Sequence, residues 1–169
     1  MDCRDGKEYA TTVIGTKTWM AENLNFTTVT GSMCPGGDTL NCESKGRWYN
    51  WETASWACPF AWHLPTKDEW AAILSDLSVT YQTAGTALKA TTGWGANPGT
   101  NSSGFSAVTA GYAVGTTNYG LTTSANWWTS TKDTDTTKAF TRYLTNSNQN
   151  LLSIAVATTR MLSVRCIAD

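Results

Sequence analysis

Apolar residues recur at helical spacing in the stretch that follows Pro65. The repeat at i, i+3, i+4 and i+7 is formed by Trp70, Ile73, Leu74 and Leu77. Pro65 disfavours helix in the residue before it, so a helix can begin only after it. Thr66 is a good N-cap, and Glu69 stands three positions later, which completes a capping box. The pattern predicts a helix over about Lys67–Ser78 with its tryptophan face buried.

Other patterns divide the chain into an early half with helices and a later half of strands. Residues Glu8–Met20 alternate around Gly15-Thr16, which predicts a hairpin, and tryptophans at helical spacing predict a helix over Arg47–Trp56. Glycines and a proline predict irregular structure over Gly85–Gly104. The β-prone runs are Ala107–Thr109, Trp127–Ser130, Ala139–Leu144, Leu151–Ala157 and Leu162–Ile167. We therefore expect one α+β domain over residues 1–169 with two early helices.

The composition narrows the classes of partner. The 169 residues are 41% hydrophobic and 15% charged, with nine tryptophans and a net charge of −1. No basic cluster is present, so we expect neither a nucleic acid nor an anionic membrane as partner. No apolar run reaches the length of a membrane span. Because Met1 is followed directly by Asp2-Cys3, we expect that a leader peptide has been removed.

The cysteines indicate an oxidising compartment. Five of them in a chain poor in charge suggest two disulfides and one spare residue, which places the protein outside the cell or on its surface. Cys34 and Cys42 lie in a Gly- and Ser-rich stretch over Thr27–Gly46, and we read it as a long loop pinned by a disulfide between them. A zinc site would need paired ligands that the sequence lacks. Cys3 is the spare residue, either free or paired with a cysteine outside this sequence.

Few residues are candidates for catalysis or metal binding. His63 is the only histidine, and beside a helix start we expect it to hydrogen-bond to the backbone. A carboxylate pair for glycoside hydrolysis is not supported, because the cap already accounts for Asp68 and Glu69. Asp133 and Asp135 offer oxygen ligands for a possible calcium ion, although such sites usually gather more than two carboxylates and a solvated turn is the simpler reading. No other cofactor is expected.

The segment from Tyr112 to Arg160 is the best candidate for a binding surface. Aromatic and amide side chains alternate there with small polar ones, a combination that gives rigid contact area and adaptable hydrogen bonding. The candidates are Tyr112, Asn118, Tyr119, Trp127, Tyr143, Asn146, Asn148, Asn150 and Arg160. In the alternative reading, Trp127 or Trp128 fills the core and the asparagines only form turns. For Trp128 we favour the core.

Six short motifs resemble the Fibrobacter succinogenes major paralogous domain family, in the family's order and over nearly the whole chain. They are Arg4-Asp-Gly-Lys7, Trp19-Met-Ala-Glu-Asn-Leu-Asn25, Trp62-His-Leu-Pro-Thr-Lys-Asp-Glu-Trp70, Gly104-Phe-Ser-Ala107, Trp128-Thr-Ser-Thr131 and Ser163-Val-Arg-Cys166. The Leu-Pro-Thr-x-x-Glu-Trp core more distantly resembles formylglycine-generating sulfatase-modifying domains. The resemblance implies a C-type-lectin-like fold whose C-terminal region carries the ligand face.

The resemblance also bears on the two remaining cysteines. In C-type-lectin-like folds a disulfide from an early helix to the last strand is common, which favours a Cys58–Cys166 bond. The chain-entropy estimate for so long a loop is about 4–5 kcal/mol. The formylglycine-generating relatives use two neighbouring cysteines for oxidation, whereas Cys166 stands alone, so the resemblance implies the scaffold without the catalytic pair.

These observations together predict a secreted or cell-surface binding module. We expect a monomeric domain that is not an enzyme and that recognises a carbohydrate or a protein ligand. Two rivals remain: an oxidase of the formylglycine-generating type, which needs a reactive thiol near the C-terminus, and a structural module of a surface fibre or pilus, which an exposed Cys3 would favour.

Overall fold

The computed structural model describes residues 1–169 as four short helices and twelve strands. The helices are α1 (Thr39–Lys45), α2 (Trp51–Ala57), α3 (Lys67–Asp76) and α4 (Ala84–Leu88). The strands are β1 (Thr11–Ile14), β2 (Lys17–Met20), β3 (Ser32–Met33), β4 (Trp48–Tyr49), β5 (Trp62–His63), β6 (Tyr112–Val114), β7 (Thr117–Tyr119), β8 (Ser124–Lys132), β9 (Lys138–Thr145), β10 (Leu152–Ala157), β11 (Leu162–Ser163) and β12 (Ile167–Ala168). The α+β class is confirmed, with four helices in place of the two expected.

The strands form three sheets, and one of them joins the two ends of the chain. A four-stranded sheet has the order β1-β2-β12-β5, so the last strand lies between the first hairpin and β5. A six-stranded sheet has the order β10-β9-β8-β11-β4-β3, and β6 and β7 form a separate pair. The pairing of β11 with β8 is parallel, whereas the other named strand pairs are antiparallel.

The two local elements with the clearest sequence signals are present. The β1–β2 hairpin turns at Gly15-Thr16, with Gly15 at a φ of 62°, which glycine adopts without steric cost. Helix α3 begins with a complete capping box between Thr66 and Glu69. It ends at Asp76, two residues before the predicted end, because Ser78 has left helical geometry with a φ of 53°.

The helix predicted over Arg47–Trp56 is shorter than expected. Trp48 lies in β4, opposite Ser163 of β11, and α2 begins only at Trp51 with Asn50 as its N-cap. The Asn50 side chain accepts a hydrogen bond from the Thr53 N–H at 2.9 Å. Pairing of β4 with two neighbouring strands therefore overrides the helical spacing of its tryptophan.

Both predicted disulfides form. Cys34 bonds to Cys42, and Cys58 bonds to Cys166 across a sequence separation of 108 residues. Cys3 is the one free cysteine and is exposed. The stretch around the first disulfide is more ordered than the predicted loop, since it contains β3, a single 3₁₀ turn and α1.

Six of the nine tryptophans are buried in the interior. The first core cluster is built around Trp19, Trp70, Phe105 and Trp127, whose rings contact one another at centroid distances between 5.1 and 6.0 Å. A second cluster surrounds Trp128 and includes Cys166. Trp48 and Trp94 are also buried, whereas Trp56 is 56% exposed. The tryptophans thus serve mainly as core.

The later strands follow the prediction, with two exceptions. β8 and β9 are present and extend the predicted runs, and β10 begins one residue later than predicted, but Ala107–Thr109 is not a strand and makes only an isolated bridge through Ala107. The run predicted over Leu162–Ile167 is divided into β11 and β12, which belong to different sheets. Of the stretch predicted to be irregular, only its start lies in a helix, α4. None of the helices has the length and apolarity needed to cross a membrane.

Candidate functional site

The outer face of β8, β9 and β10 forms the floor of a groove. Asn126 lies opposite Tyr143, and Ser124 lies opposite Thr145, in the antiparallel pair β8–β9. On the other side of β9, Thr141 lies opposite Ile154 of β10. Side chains alternate between the faces of a strand, so these residues share one face, which we call the outer face.

The groove has a volume of about 310 Å³ and is open to solvent along one side. Its wall comes from β6 and from the segment after β10. It is lined by Tyr112, Ser124, Asn126, Thr141, Tyr143, Thr145, Ile154, Val156, Arg160 and Leu162. Three of the predicted ligand-binding residues therefore come together here, namely Tyr112, Tyr143 and Arg160.

The β6–β7 hairpin presents two stacked tyrosines beside the groove. Tyr112 lies opposite Tyr119, and their rings stack at 5.3 Å with an angle of 18° between planes. The residue just before β6 must be a glycine, because Gly111 has a φ of 66° and a Cβ there would lie 2.2 Å from the Tyr119 carbonyl oxygen. Asn118 is exposed on this hairpin but does not line the groove.

Two backbone hydrogen bonds fix Tyr112 next to Arg160. Ala113 and Met161 form a bridge, in which each N–H donates to the other residue's carbonyl oxygen at 2.9 and 3.0 Å. The Arg160 guanidinium carbon lies 5.6 Å from the centre of the Tyr112 ring, within the range of a cation–π contact. A wall built from distant parts of the chain is therefore held in one arrangement.

Several polar groups in the groove have no partner in the protein. Two other polar groups there are paired: the Asn126 Nδ2 donates to Ser124 Oγ at 2.9 Å, and the Thr141 hydroxyl donates to the Ile154 carbonyl oxygen at 2.9 Å. The hydroxyls of Tyr112 and Tyr143 and the Oδ1 of Asn126 form no hydrogen bond with the protein, and neither does the guanidinium of Arg160. These groups are available to a ligand.

Trp127 is a core residue, which corrects its prediction as a surface residue. It is 0% exposed, and its indole N–H donates to Asn23 Oδ1 at 2.8 Å. It points to the inner face of β8, opposite in direction to Asn126, and packs against Trp70. Trp128 is also buried, as expected, and donates to the Tyr49 carbonyl oxygen at 2.7 Å.

The three asparagines of the loop after β9 do not line the groove. The Asn146 carbonyl oxygen accepts from Asn97 at 2.7 Å, and Asn148 Oδ1 accepts from the Asn150 N–H at 2.9 Å. The carbonyl oxygen of Asn148 accepts from the ammonium of Lys89 at 2.6 Å. The Asn148 side chain thus holds a turn, and Asn146 is held through its backbone carbonyl oxygen.

Lys89 and Arg165 are buried cations that the sequence patterns did not single out. Burial lowers the pKa of Lys89 to about 8. Burial also lowers the pKa of Arg165, whose guanidinium donates to the Met20 carbonyl oxygen at 3.0 Å and twice to Asn23 Oδ1. Both cations thus donate hydrogen bonds to neutral oxygen atoms of the protein.

In the loop with Asp133 and Asp135, both carboxylates accept hydrogen bonds from neighbouring residues. Asp133 Oδ1 accepts from the Thr134 N–H at 2.6 Å. Asp135 accepts from the Thr137 hydroxyl and pairs with Lys138 at 3.0 Å, and these contacts lower the pKa of Asp135 to about 2. No group of three His, Cys, Asp or Glu residues is placed to hold a metal ion. The carboxylates instead organise a turn.

His63 contacts two carboxylates, where a backbone partner was expected. Its Nδ1 lies 2.7 Å from Asp169 Oδ1, and its Nε2 lies 3.0 Å from Glu69 Oε1. Burial raises the pKa of Glu69, but hydrogen bonds from Thr66 and His63 outweigh that effect, so the net pKa is lowered. The histidine links the start of α3 to the C-terminal residue.

A second cavity of about 280 Å³ lies between the N-terminal segment and α1. The Glu22 carboxylate accepts from the Ala10 N–H at 2.6 Å, and the Lys45 ammonium donates to the Leu121 carbonyl oxygen at 2.8 Å. The Lys7 ammonium donates to the Asn25 carbonyl oxygen. Three of the five charged side chains that line this cavity are thus engaged within the protein, and it offers one tyrosine where the groove offers two, so it is a weaker candidate than the groove.

Sequence reasoning missed most of the groove floor, including Asn126, Thr141 and Ile154. The available signal was the alternation along each strand, since Asn126 and Tyr143 sit at positions adjacent to buried residues. Alternation alone does not tell which face is covered. The face is decided by the packing of α3 against the inner side, which sequence spacing did not predict.

Comparison with known proteins gives one match. The model of the Fibrobacter succinogenes major domain family matches residues 13–168. No curated protein and no solved structure matches the chain. The match covers both disulfides, the groove and every strand except the first two residues of β1, so this chain belongs to the Fibrobacter succinogenes major domain family.

Proposed function

We propose that this protein is a secreted or cell-surface binding module whose groove on the outer face of β8–β10 recognises a carbohydrate. The observation that carries the proposal is the convergence of Tyr112, Tyr143 and Arg160 around unpartnered polar atoms in an open groove of about 310 Å³. That volume falls at the lower end of small-ligand sites, about 300–1,000 Å³.

The chemistry of the lining suits a sugar. A sugar ring has an apolar face that can stack on an aromatic ring and hydroxyls around its edge that donate and accept hydrogen bonds. Tyr112 and Tyr143 supply aromatic area, and Asn126 supplies a free amide oxygen beside them. Ile154 and Val156 add apolar surface to the floor, where a sugar face would displace water.

We also propose that the fold is C-type-lectin-like. Three features support this: β2 and β12 are neighbours, a disulfide links the end of α2 to the residue before β12, and the C-terminal half carries the open face. The two disulfides support an oxidising location such as the cell exterior.

The oxidase alternative receives no support from the cysteines. It needs a reactive thiol near the C-terminus, whereas the Cys166 sulfur is bonded to Cys58 and is 0% exposed. Catalytic thiols are usually partly exposed and in electropositive surroundings. No second cysteine lies near Cys166 in the sequence.

A role in covalent assembly is the second candidate, and the exposed free thiol of Cys3 favours it. Such a module would form disulfide-linked species through its N-terminal segment. A non-reducing gel of the purified protein would show a dimer that Cys3→Ser abolishes. A monomer that persists under oxidising conditions would contradict this second role.

The proposed function is tested by screening the protein on a glycan array and then measuring the best hits by polysaccharide pull-down. Tyr143→Ala removes the aromatic surface at the centre of the groove, and we expect it to abolish binding. The matched control is Tyr81→Ala, because Tyr81 is 52% exposed and lies outside the groove. Unchanged binding in Tyr143→Ala, with both variants folded, would contradict the site.

A further inference from the structure

We infer that the groove takes an acidic glycan, in which a carboxylate of the sugar is held by Arg160. This inference rests on the proposed function and adds the charge of the ligand. Three observations support it: the charges that line the groove, the lack of protein acceptors around Arg160 and the contact of its guanidinium with Tyr112.

Arg160 is the only charged residue among those that line the groove. The other nine are tyrosines, small hydroxyl residues, one asparagine and aliphatic residues, and none is acidic. A positive charge in a concave site without a counter-charge attracts anions, since low-dielectric walls strengthen its field. The electrostatic character of the groove is therefore cationic, although the whole chain has a net charge of −1.

The guanidinium of Arg160 has no protein acceptor. All the ion pairs of the molecule involve other cations. Two other partly or fully buried arginines differ in this respect: Arg142 donates to the Lys67 carbonyl oxygen at 3.1 Å, and Arg165 donates to the Met20 carbonyl oxygen at 3.0 Å. Arg47 is half-buried and unpaired as well, but it does not line the groove, so Arg160 is the arginine whose unpaired N–H donors border this cavity.

The contact of Arg160 with Tyr112 leaves its N–H donors free. The guanidinium carbon lies 5.6 Å from the ring centre, and a cation–π contact at that distance uses none of the N–H groups as hydrogen-bond donors. The Arg160 N–H of the backbone is bound to the Ala157 carbonyl oxygen at 3.0 Å, and the next residue forms the bridge to Ala113. The backbone at Arg160 is thus fixed, and its guanidinium lies beside the Tyr112 ring.

A planar carboxylate is the group that matches the fork of parallel N–H donors on the Arg160 guanidinium. Two parallel N–H···O bonds to a carboxylate are stronger and more directional than bonds to neutral hydroxyls. A uronic acid carries such a carboxylate on a ring that also offers hydroxyls to Tyr143 and Asn126. We expect the acidic form of a glycan to bind about ten- to a hundred-fold more tightly than its neutral form, as for loss of one charge-assisted contact.

The test compares acidic polysaccharides with their own neutral forms. Homopolymers of galacturonate, glucuronate and mannuronate are each measured beside the carboxyl-reduced polymer, by affinity electrophoresis and titration calorimetry. The variants are Arg160→Gln, which removes the charge, and Arg160→Lys, which keeps the charge without the fork. Lys17→Gln is the charge-matched control, since Lys17 is exposed and lies outside the groove. Thermal denaturation confirms that each variant folds.

The expected result is a preference for at least one acidic polymer over its reduced form, lost in Arg160→Gln, partly kept in Arg160→Lys and unchanged in Lys17→Gln. Rising salt should weaken the preference. Equal affinity for the acidic and reduced forms would overturn the inference while leaving the proposed function in place. A preference that survives in Arg160→Gln would also overturn it. Absence of binding to every polymer and to the glycan array would overturn both. If poly-glutamate binds as tightly as the acidic polysaccharides and this binding is lost in Arg160→Gln, the ligand is an acidic polypeptide and the inference of an acidic glycan is overturned.

Discussion

On the inner face of β8 and β9, Ala125, Trp127 and Leu144 pack into the first core cluster. On the outer face of the same strands, Asn126 and Tyr143 line an open groove. Neighbouring residues along one strand thus have opposite environments. The inner residues are apolar and the outer ones mostly polar, and the elements that cover each face decide which residues are core and which are free to bind.

The covering differs because α3 closes only the inner side. Trp70 of α3 lies 5.6 Å from Trp127, and Phe105 lies 5.7 Å from it on the same side. The outer face is covered only further along β8, where Trp128 donates to the Tyr49 carbonyl oxygen. The groove lies on the uncovered part of this face, at Asn126 and Ser124.

The largest expected effect concerns the disulfide that supports both faces. Replacing Cys58 and Cys166 by serine opens a loop of 108 residues, which we expect to lower the free energy of unfolding by about 4–5 kcal/mol. Replacing Cys34 and Cys42, whose separation is 8, should cost only about 2–3 kcal/mol. Urea denaturation measures both losses, and an equal loss in the two variants would contradict the loop-length account.

The next effect distinguishes the two faces directly. Trp127→Ala should lower the free energy of unfolding by about 3–5 kcal/mol, because it leaves a large cavity in the first core cluster. Tyr143→Ala should cost much less, since its ring borders the open groove. Denaturant titration of both variants measures this contrast. Similar losses would mean that the outer face is core as well.

Two asparagines offer a finer version of the same contrast. Asn23 Oδ1 accepts from the Trp127 indole and from Arg165, so Asn23→Ala leaves buried donors unpaired and should cost about 1–3 kcal/mol. Asn126→Ala should change the free energy of unfolding by less than about 0.5 kcal/mol, because its Oδ1 faces the groove. Thermal denaturation provides the measurement, and a larger loss from Asn126→Ala would reverse the assignment.

The smallest effect is a dependence on pH through Glu69, which caps the helix that covers the inner face. Because its pKa is lowered from 4.5 in the folded state, its stabilisation is present above pH 4.5 and is lost as the pH falls through the lower folded value. The Glu69→Gln variant keeps a capping side chain but cannot titrate, so its unfolding free energy should fall less between pH 5 and about pH 3. Parallel acid dependences in both proteins would exclude this role.

The elements that the sequence predicts well are those specified by neighbouring residues. The capping box of α3 and the turn at Gly15 each depend on a few adjacent positions, and both are present. The Cys58–Cys166 bond was implied by the family resemblance, and it forms. Local chemistry, with the resemblance, therefore accounts for the frame of the molecule.

The groove depends on contacts between distant residues, which is why the sequence revealed only part of it. Tyr112 meets Arg160 through the bridge of Ala113 with Met161, and no local pattern predicts that pairing. Trp127 was predicted as a surface residue because a tryptophan suits a binding surface as well as it suits a core. The face to which it points is fixed by the register of β8 against β9, which becomes visible only in three dimensions.

The most direct test of the account follows side-chain NMR signals while an acidic oligosaccharide selected on the array is added. The Asn126 side-chain amide and the Tyr143 ring lie on the outer face, whereas the Trp127 indole N–H lies on the inner face, bonded to Asn23. The account predicts that the Asn126 and Tyr143 signals shift in proportion to ligand while the Trp127 indole signal stays in place. Binding that leaves Asn126 and Tyr143 unchanged and shifts signals elsewhere would contradict it.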